Sequence, residues 1–194
     1  ASEADLWDLL ELDGVPTNDS AMAKLVAALS EAGCGVHRKP GLSCWKLPLP
    51  ESMDEVYAGL SKNRRKVFRK LQRDSLDNGR LVFKLATTDD EFRNAMQLFV
   101  ELHQKRRISL GEPGCFASQQ FASFIEAVSN RLWEAGKLEL SWIELEGRPV
   151  AVDFGLIDGD TAYGYQGGIE PEAEHESPGH LMTMSLIQHA IASS

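Results

Sequence analysis

The sequence has few cysteines and no long apolar run. Its 194 residues include three cysteines, whose irregular spacing argues against a disulfide framework and favours a reducing compartment, so a cytoplasmic location is predicted. The apolar runs fall far short of the roughly 20 residues that a membrane-spanning helix needs. The first residues carry no charged-then-apolar signal pattern. These absences argue against a disulfide-rich secreted domain and against a membrane span.

Several catalytic and binding signatures are also missing. The sequence has no GxSxG motif, no Walker loop and no GxGxxG motif, which are typical of hydrolases and nucleotide-binding proteins. The formal net charge of −9 makes general nucleic-acid binding an unfavoured function. Cys34, His37 and Cys44 lack a fourth ligand and any standard zinc spacing, so no metal is expected.

Positive charge is concentrated in one short segment. Residues 62–73 (KNRRKVFRKLQR) hold seven of the 20 Lys and Arg residues and no acid. On a helix, this segment forms an outward cationic stripe that could bind a phosphorylated ligand, an RNA or an anionic lipid. The alternative interpretation is a solvated face that pairs with acidic residues elsewhere in the chain. The stripe consists of Lys62, Lys66, Arg69 and Arg73.

The pattern of turns and apolar positions predicts two parts. Residues 1–47 contain a helix over 18–32 and short strands over 7–12, 36–38 and 43–47. Residues 48–194 form a mixed α+β or α/β domain, with helices beginning at Ser52 and Ser61. The remaining predicted elements are strands over 80–85, 137–145, 150–158 and 161–168, helices over 88–110 and 118–135, and a helix from 177 to the end.

Asp153 is a candidate catalytic residue because it interrupts an apolar strand. Residues 150–156 (VAVDFGL) are apolar on both faces, as expected of a central strand. A carboxyl group is unfavourable there unless it is paired or functional. Asp153 is therefore either a carboxylate partnered by a loop or by an arginine such as Arg107, or a general base whose pKa is raised by burial. The next strand offers Tyr165 as a second candidate catalytic residue and Gln166 as a candidate substrate contact in a polar pocket, although strand tyrosines more often only pack.

The beginning of the last helix is a candidate anion site. Ser177 at the N-cap and Pro178 at the first helical position favour a helix start. The amides of Gly179, His180 and Leu181 are expected to be unpaired at the positive end of the helix, where a phosphate group can bind. The alternative interpretation is an ordinary capped helix.

The long helix over 88–110 ends in candidate substrate-binding residues. His103 lies on the apolar stripe, so it is either a core histidine or a ligand contact. Arg106 and Arg107 follow one turn later and either hold an anionic substrate or match the helix dipole. Cys115 follows the loop at 111–114, and no local partner marks it as an activated thiolate.

Five short strings occur in order along the chain. They are SKNRRK at 61–66, LHQ at 102–104, GEPGCF at 111–116, GRPVA at 147–151, and Tyr165 followed by SPGHL at 177–181. The predicted elements also follow the order of a helix pair, a run of antiparallel strands and a turn that begins a helix. The strings and this order together resemble an acyl-CoA N-acyltransferase (GNAT) domain. More narrowly, they resemble the CelD-like acetyltransferases of cellulose biosynthesis, which are BioF-like and FemAB-related. The resemblance covers about residues 45–192.

The resemblance implies a mostly antiparallel GNAT-like sheet flanked by helices, and an enzyme that uses acetyl-CoA or another acyl-CoA as co-substrate. The acceptor would be a small molecule or a cell-envelope or polysaccharide precursor. The cofactor pyrophosphate would bind at 177–181, and a backbone amide around Asp153, Phe154 and Gly155 would polarise the thioester carbonyl. A carboxylate, a tyrosine or water would remove the acceptor's proton.

The sequence departs from the GNAT pattern in two places. The usual Gln/Arg-x-x-Gly-x-Gly/Ala phosphate loop is absent, and Arg107-Ile108 stands where the family commonly has a Trp after the Arg. We also expect that the terminal strands of the domain lie outside this chain, and that residues 1–47 are the tail of a preceding half-domain. Two alternative functions follow: a Fem-like transferase that uses aminoacyl-tRNA, and a non-catalytic binding module of the same fold.

Overall fold

The computed structural model describes residues 8–41 and 45–193, which divide between Pro48 and Leu49 into two compact units. In the first unit, α1 (Ser20–Glu31) begins where the Asp19 side chain accepts a hydrogen bond from the Met22 amide at 2.8 Å. This confirms the predicted helix. The predicted strands are wrong at 8–12, 36–38 and 45–47, which have no regular structure. Trp7, Ser43 and Cys44 lie outside the described residues.

The second unit is a four-stranded sheet of order β1-β2-β3-β4, in which every neighbouring pair is antiparallel. Helices flank the sheet, so the predicted mixed fold class is confirmed. The strands are β1 (Leu81–Leu85), β2 (Leu138–Leu145), β3 (Arg148–Asp158) and β4 (Thr161–Ile169). The helices are α2 (Met53–Gly59), α3 (Lys62–Leu71), α4 (Asp89–Ser109), α5 (Gln119–Glu134) and α6 (Pro178–Ser193), with a π-helical turn at Gln72–Leu76 and 3₁₀ turns at Cys115–Ala117 and Pro171–Glu176.

Two apolar clusters lie on opposite faces of the sheet. On one face, Val152 and Phe154 of β3 join Phe99 of α4 and Ile125 of α5. On the other face, Ala151 joins a cluster with Ile143 of β2 and with Leu181 and Met182 of α6. The alternation of side chains along β3 separates the two clusters, because successive residues of a strand point to opposite faces.

Helix α4 is fixed at its beginning by a capping box. The Thr88 side chain accepts a hydrogen bond from the Glu91 amide, while the Glu91 carboxylate accepts one from the Thr88 amide. This reciprocal arrangement satisfies two amides that the helix itself leaves unpaired. No helix within the described residues is both long and apolar enough to cross a membrane.

The later part of α4 lies directly on strand β4 at Gly168. A Cβ atom added at Gly168 would contact the His103 backbone nitrogen and would lie 2.7 Å from the Leu102 carbonyl carbon. Only a residue without a side chain allows the two backbones to approach so closely.

We expect Gly168→Ala to lower the free energy of unfolding by about 1–3 kcal/mol, because overpacking against a backbone forces α4 away from the sheet. Gly164→Ala is the matched control in the same strand, since a Cβ there meets nothing within 4 Å. Urea denaturation of both variants measures the difference. Equal midpoints for Gly168→Ala and Gly164→Ala would contradict the packing constraint.

Candidate active site

The end of α4, the following loop and strand β4 enclose a shallow cavity of about 330 Å³. Three of the four predicted substrate-binding residues line it, namely His103, Arg107 and Gln166. A volume of this order suits a small ligand or part of a larger one. The rest of the lining comes from the loop residues Glu112, Pro113, Gly114 and Cys115.

His103 is a buried residue that directs one ring nitrogen into this cavity. Its side chain packs edge-on against Phe99 and Phe116, at ring-centroid distances of 5.9 and 5.5 Å. Its Nδ1 lies 3.1 Å from the Gly167 carbonyl oxygen. Because a carbonyl oxygen only accepts, Nδ1 carries the hydrogen and donates it. In the neutral ring, Nε2 is then the nitrogen with a free lone pair.

Cys115 occupies the position that faces this lone pair. Its Sγ lies 3.3 Å from His103 Nε2 and 3.9 Å from the Gln166 side-chain amide. Sequence reasoning missed this pairing, because the partner comes from another element and no local pattern joins them. The only available signal was that both residues fall in strings that carry the family resemblance.

The Gln104 side chain holds the loop that carries Cys115. Gln104 Nε2 donates to the Pro113 carbonyl at 3.0 Å, and its Oε1 accepts from the Phe116 amide at 3.3 Å. Gly114 makes room for this contact, since a Cβ there would lie 2.8 Å from Gln104 Cδ, and its φ of 72° favours glycine. The loop is therefore attached to the helix next to His103.

The two predicted arginines have different surroundings. Arg107 lines the cavity and forms an ion pair with Glu112, with Nη1 and Oε2 2.9 Å apart. Arg106 is not in the cavity lining. Instead it pairs with Glu174 in the 3₁₀ turn before α6, at 3.3 Å. Arg107 is thus the arginine that the structure groups with His103 and Gln166.

Asp153 lies on the other face of the sheet. It sits between Val152 and Phe154, which both face α4 and α5, so its own side chain points to the α6 face. Burial, together with the nearby charge of Glu139, raises the pKa of Asp153 to about 6. Nothing in the described residues forms a hydrogen bond or ion pair with its carboxyl group, and Arg107 is not its partner.

Tyr165 occupies an irregular position in β4. Phe154 pairs with Gln166 and Gly155 pairs with Gly164, so the bulge leaves Tyr165 opposite no residue of β3. Its ring contacts the Phe154 ring at 5.6 Å between centroids. The two predicted catalytic side chains, Asp153 and Tyr165, therefore lie on opposite sides of the sheet and do not form one constellation.

The prediction that three backbone amides at the beginning of α6 are unpaired is wrong for His180 and Leu181. The Leu181 amide donates to the Ser177 carbonyl at 3.1 Å, and the His180 amide donates to the same oxygen at 3.0 Å. Leu181 is the fourth residue of the helix, where the first regular helical hydrogen bond closes. Within the described residues, the Gly179 amide alone among the three has no backbone acceptor.

Several other residues that were predicted to bind the cofactor have side chains in the protein interior. The side chains of Phe154, Pro178 and Leu181 are buried, and Gly155 is enclosed between Asp153 and the backbone of Glu139. Strand β3 also pairs on both sides, with β2 and with β4. Its amides are therefore engaged in the sheet. Among the described residues, β1 and β4 are the two strands with an unpaired edge, and β4 is the one next to the cavity.

The cationic helix α3 lies beside the beginning of α6. Phe68 contacts the ring of His180, with centroids 5.2 Å apart. In the predicted stripe, Arg69 pairs with Asp54 and Arg73 with Asp74, each at 3.0 Å. Of the described residues, none is ion-paired to the remaining two members of the stripe, Lys62 and Lys66.

No three His, Cys, Asp or Glu side chains within residues 8–41 and 45–193 converge on a metal site. Cys44, one of the three residues considered for zinc, lies outside those ranges.

A family model described as an acetyltransferase (GNAT) domain matches residues 62–194. Since the match covers more than half of the 194 residues, the chain belongs to the GNAT acetyltransferase domain family. This confirms the predicted GNAT-like fold and the class of acyltransferase domain, while the narrower CelD-like resemblance stays a prediction. No curated protein matches the chain.

The raised pKa of Asp153 predicts a pH-dependent stability. The folded state binds a proton more readily than the unfolded state between pH 3.8 and about 6, so the free energy of unfolding falls as the pH rises through this window. We expect the contribution of Asp153 to the free energy of unfolding to fall by about 3 kcal/mol across this window. Denaturant unfolding at several pH values measures it as the difference between wild type and Asp153→Asn.

Asp160→Asn, in the exposed turn between β3 and β4, should follow the wild-type profile. Parallel profiles for wild type and Asp153→Asn would show that the carboxyl group does not titrate in this range.

Proposed function

We propose that the chain transfers an acyl group from acetyl-CoA or another acyl-CoA to a nitrogen or oxygen of a small-molecule acceptor. An acceptor from cell-envelope or polysaccharide synthesis agrees with the CelD-like, FemAB-related resemblance. A cytoplasmic location is part of the same proposal.

The contact between Phe68 and His180 is the observation that carries this proposal. It brings α3, which is rich in Lys and Arg, against the N-terminal end of α6. Arg64 lies one turn before Phe68 on the same face of α3, since residues four apart are neighbours on a helix. The accessible Gly179 amide, the exposed His180 ring and Arg64 together offer positive charge and donors for the phosphates of CoA.

The acceptor cavity and this phosphate site lie at the same end of the domain. Gln166, near the end of β4, lines the cavity, and the segment from Glu170 to Glu176 leads from β4 to α6. Two ion pairs hold that segment to α4: Lys105 with Glu170 at 3.1 Å and Arg106 with Glu174 at 3.3 Å. An acyl-CoA bound at α6 can therefore extend along the edge of β4 towards the cavity.

In this proposal, His103, Arg107 and Gln166 contact the acceptor, and the unpaired edge of β4 near Tyr165 supplies amide donors for the thioester carbonyl. If the acceptor attacks the bound acyl-CoA directly, its proton acceptor is Asp153, as expected from the sequence. Its raised pKa supports that role, and its position on the α6 face requires the acceptor to reach that side of the sheet. Loss of turnover in Asp153→Asn with unchanged CoA binding would support it.

The aminoacyl-tRNA-dependent alternative has less support. RNA binding would need the outer stripe of α3, yet Arg69 and Arg73 are already paired with Asp54 and Asp74. A steep salt dependence of tRNA binding that Lys66→Glu abolishes would favour this alternative over acyl-CoA. The non-catalytic alternative predicts that Asp153→Asn changes no measurable activity.

We expect Gly179→Glu to weaken acetyl-CoA binding by about 30-fold, because like charges placed together cost about 2 kcal/mol. A Cβ atom added at Gly179 meets nothing within 4 Å, and the residue is exposed, so the fold should tolerate a side chain there. Gly179→Gln is the control of equal size without charge and should bind nearly as well as wild type. Isothermal titration measures both, and equal affinities would contradict the phosphate site.

Arg64→Glu and Lys66→Glu separate the two faces of α3. Arg64 shares the Phe68 face, whereas Lys66 lies on the opposite side of the helix. We therefore expect Arg64→Glu to weaken acetyl-CoA binding about tenfold and Lys66→Glu to leave it unchanged. The reverse result in isothermal titration would move the anion site to the stripe of Lys62, Lys66, Arg69 and Arg73.

A further inference from the structure

We propose that Cys115 is a nucleophile that carries the acyl group as a covalent thioester, with His103 as its general base. This inference rests on the proposed function for its physiological donor, an acyl-CoA. It differs from direct transfer, in which the acceptor attacks the bound acyl-CoA without an enzyme intermediate.

The geometry of the pair supports this role. The Sγ–Nε2 distance of 3.3 Å is within reach for proton transfer from the thiol to the imidazole. The hydrogen bond from Nδ1 to the Gly167 carbonyl fixes the tautomer that leaves Nε2 free to accept. A thiol, a base and a group that orients the base are the three parts of an activated nucleophile.

The surroundings of the pair favour chemistry over packing. Cys115 is half-buried in the wall of the 330 Å³ cavity, so a ligand in the cavity can reach its sulfur. His103 is 3% exposed and directs Nε2 to this sulfur. Gln104 fixes the position of the loop through Pro113 and Phe116, on either side of the Gly114–Cys115 step. Gln104 is thus a positioning residue.

The reaction balances without any further reagent. Cys115 Sγ attacks the thioester carbonyl, its proton passes to His103 Nε2, and the bond from the acyl carbon to the CoA sulfur breaks. The CoA sulfur takes the proton from Nε2, leaving free CoA and acyl-Cys115. The acceptor amine or hydroxyl then attacks the carbonyl carbon of acyl-Cys115, and the bond from this carbon to Sγ breaks. The acceptor's proton passes through Nε2 to Sγ, so the acylated acceptor is released and the free thiol is restored.

Mass spectrometry of the full chain tests the intermediate. After acetyl-CoA is added without an acceptor and the reaction is quenched in acid, we expect one acetyl group on the peptide that contains Cys115. Neutral hydroxylamine should remove it, since thioesters are labile and amides are not. Cys115→Ala should carry none, and Cys34→Ser should match wild type.

His103→Asn separates the chemical role of the imidazole from its structural one. The asparagine amide retains an N–H donor for the Gly167 carbonyl but has no basic nitrogen. We expect acylation to slow by about 100-fold, as general-base catalysis typically contributes at least this factor. Circular dichroism verifies that the variant is folded, and Cys115→Ala provides the second variant should it not be.

A second donor distinguishes failure of this inference from failure of the proposed function. S-acetyl-N-acetylcysteamine is a thioester without nucleotide or phosphates, so it tests the pair alone. Acylation of Cys115 by this donor without binding of acetyl-CoA would support the pair and overturn the CoA-dependent function. Acetyl-CoA binding with neither an adduct nor Cys115-dependent release of CoA thiol would overturn the inference and leave direct transfer. Absence of reaction with both donors would also overturn it.

Discussion

The approach of helix α4 to strand β4 at Gly168 is the contact on which the rest of the domain depends. The backbone at Leu102 and His103 lies against a residue without a side chain. This brings Phe99 and Leu102 into the core with β3 and α5 and places the His103 ring next to the Gly167 carbonyl. One face of the sheet is thereby covered, and its polar edge becomes the wall of a cavity. Core and candidate site arise from the same helix–strand contact.

Local signals predicted the elements of the second unit well. Ser52 and Thr88 cap α2 and α4, and the turn after Leu145 joins β2 to β3 as a hairpin. In these cases the determining interactions lie within a few residues of each other. The short strands predicted in residues 1–47 failed because a strand needs a neighbour to pair with, and apolar side chains such as Leu9, which is 79% exposed, find no sheet in the described residues.

The candidate site was predictable only in part. His103, Arg107 and Gln166 could be named as polar residues on otherwise structured elements, but their grouping with Cys115 depends on how α4 crosses β4. Asp153 was recognised as a carboxyl group within an apolar strand. The alternation of side chains along β3, however, does not show which face of the sheet carries the cavity. The sequence analysis counted too many free backbone amides at the beginning of α6, because the Leu181 amide already belongs to the helical hydrogen-bond pattern.

The adjacency of His103 and Gln104 in α4 has a mechanical consequence. One residue presents the imidazole to Cys115, and the next holds the loop that carries Cys115. The same turn of helix α4 therefore sets the positions of both Sγ and Nε2. Helix α4 thus sets the spacing of the thiol and the imidazole by itself, while the hydrogen bond to the Gly167 carbonyl holds the pair against β4.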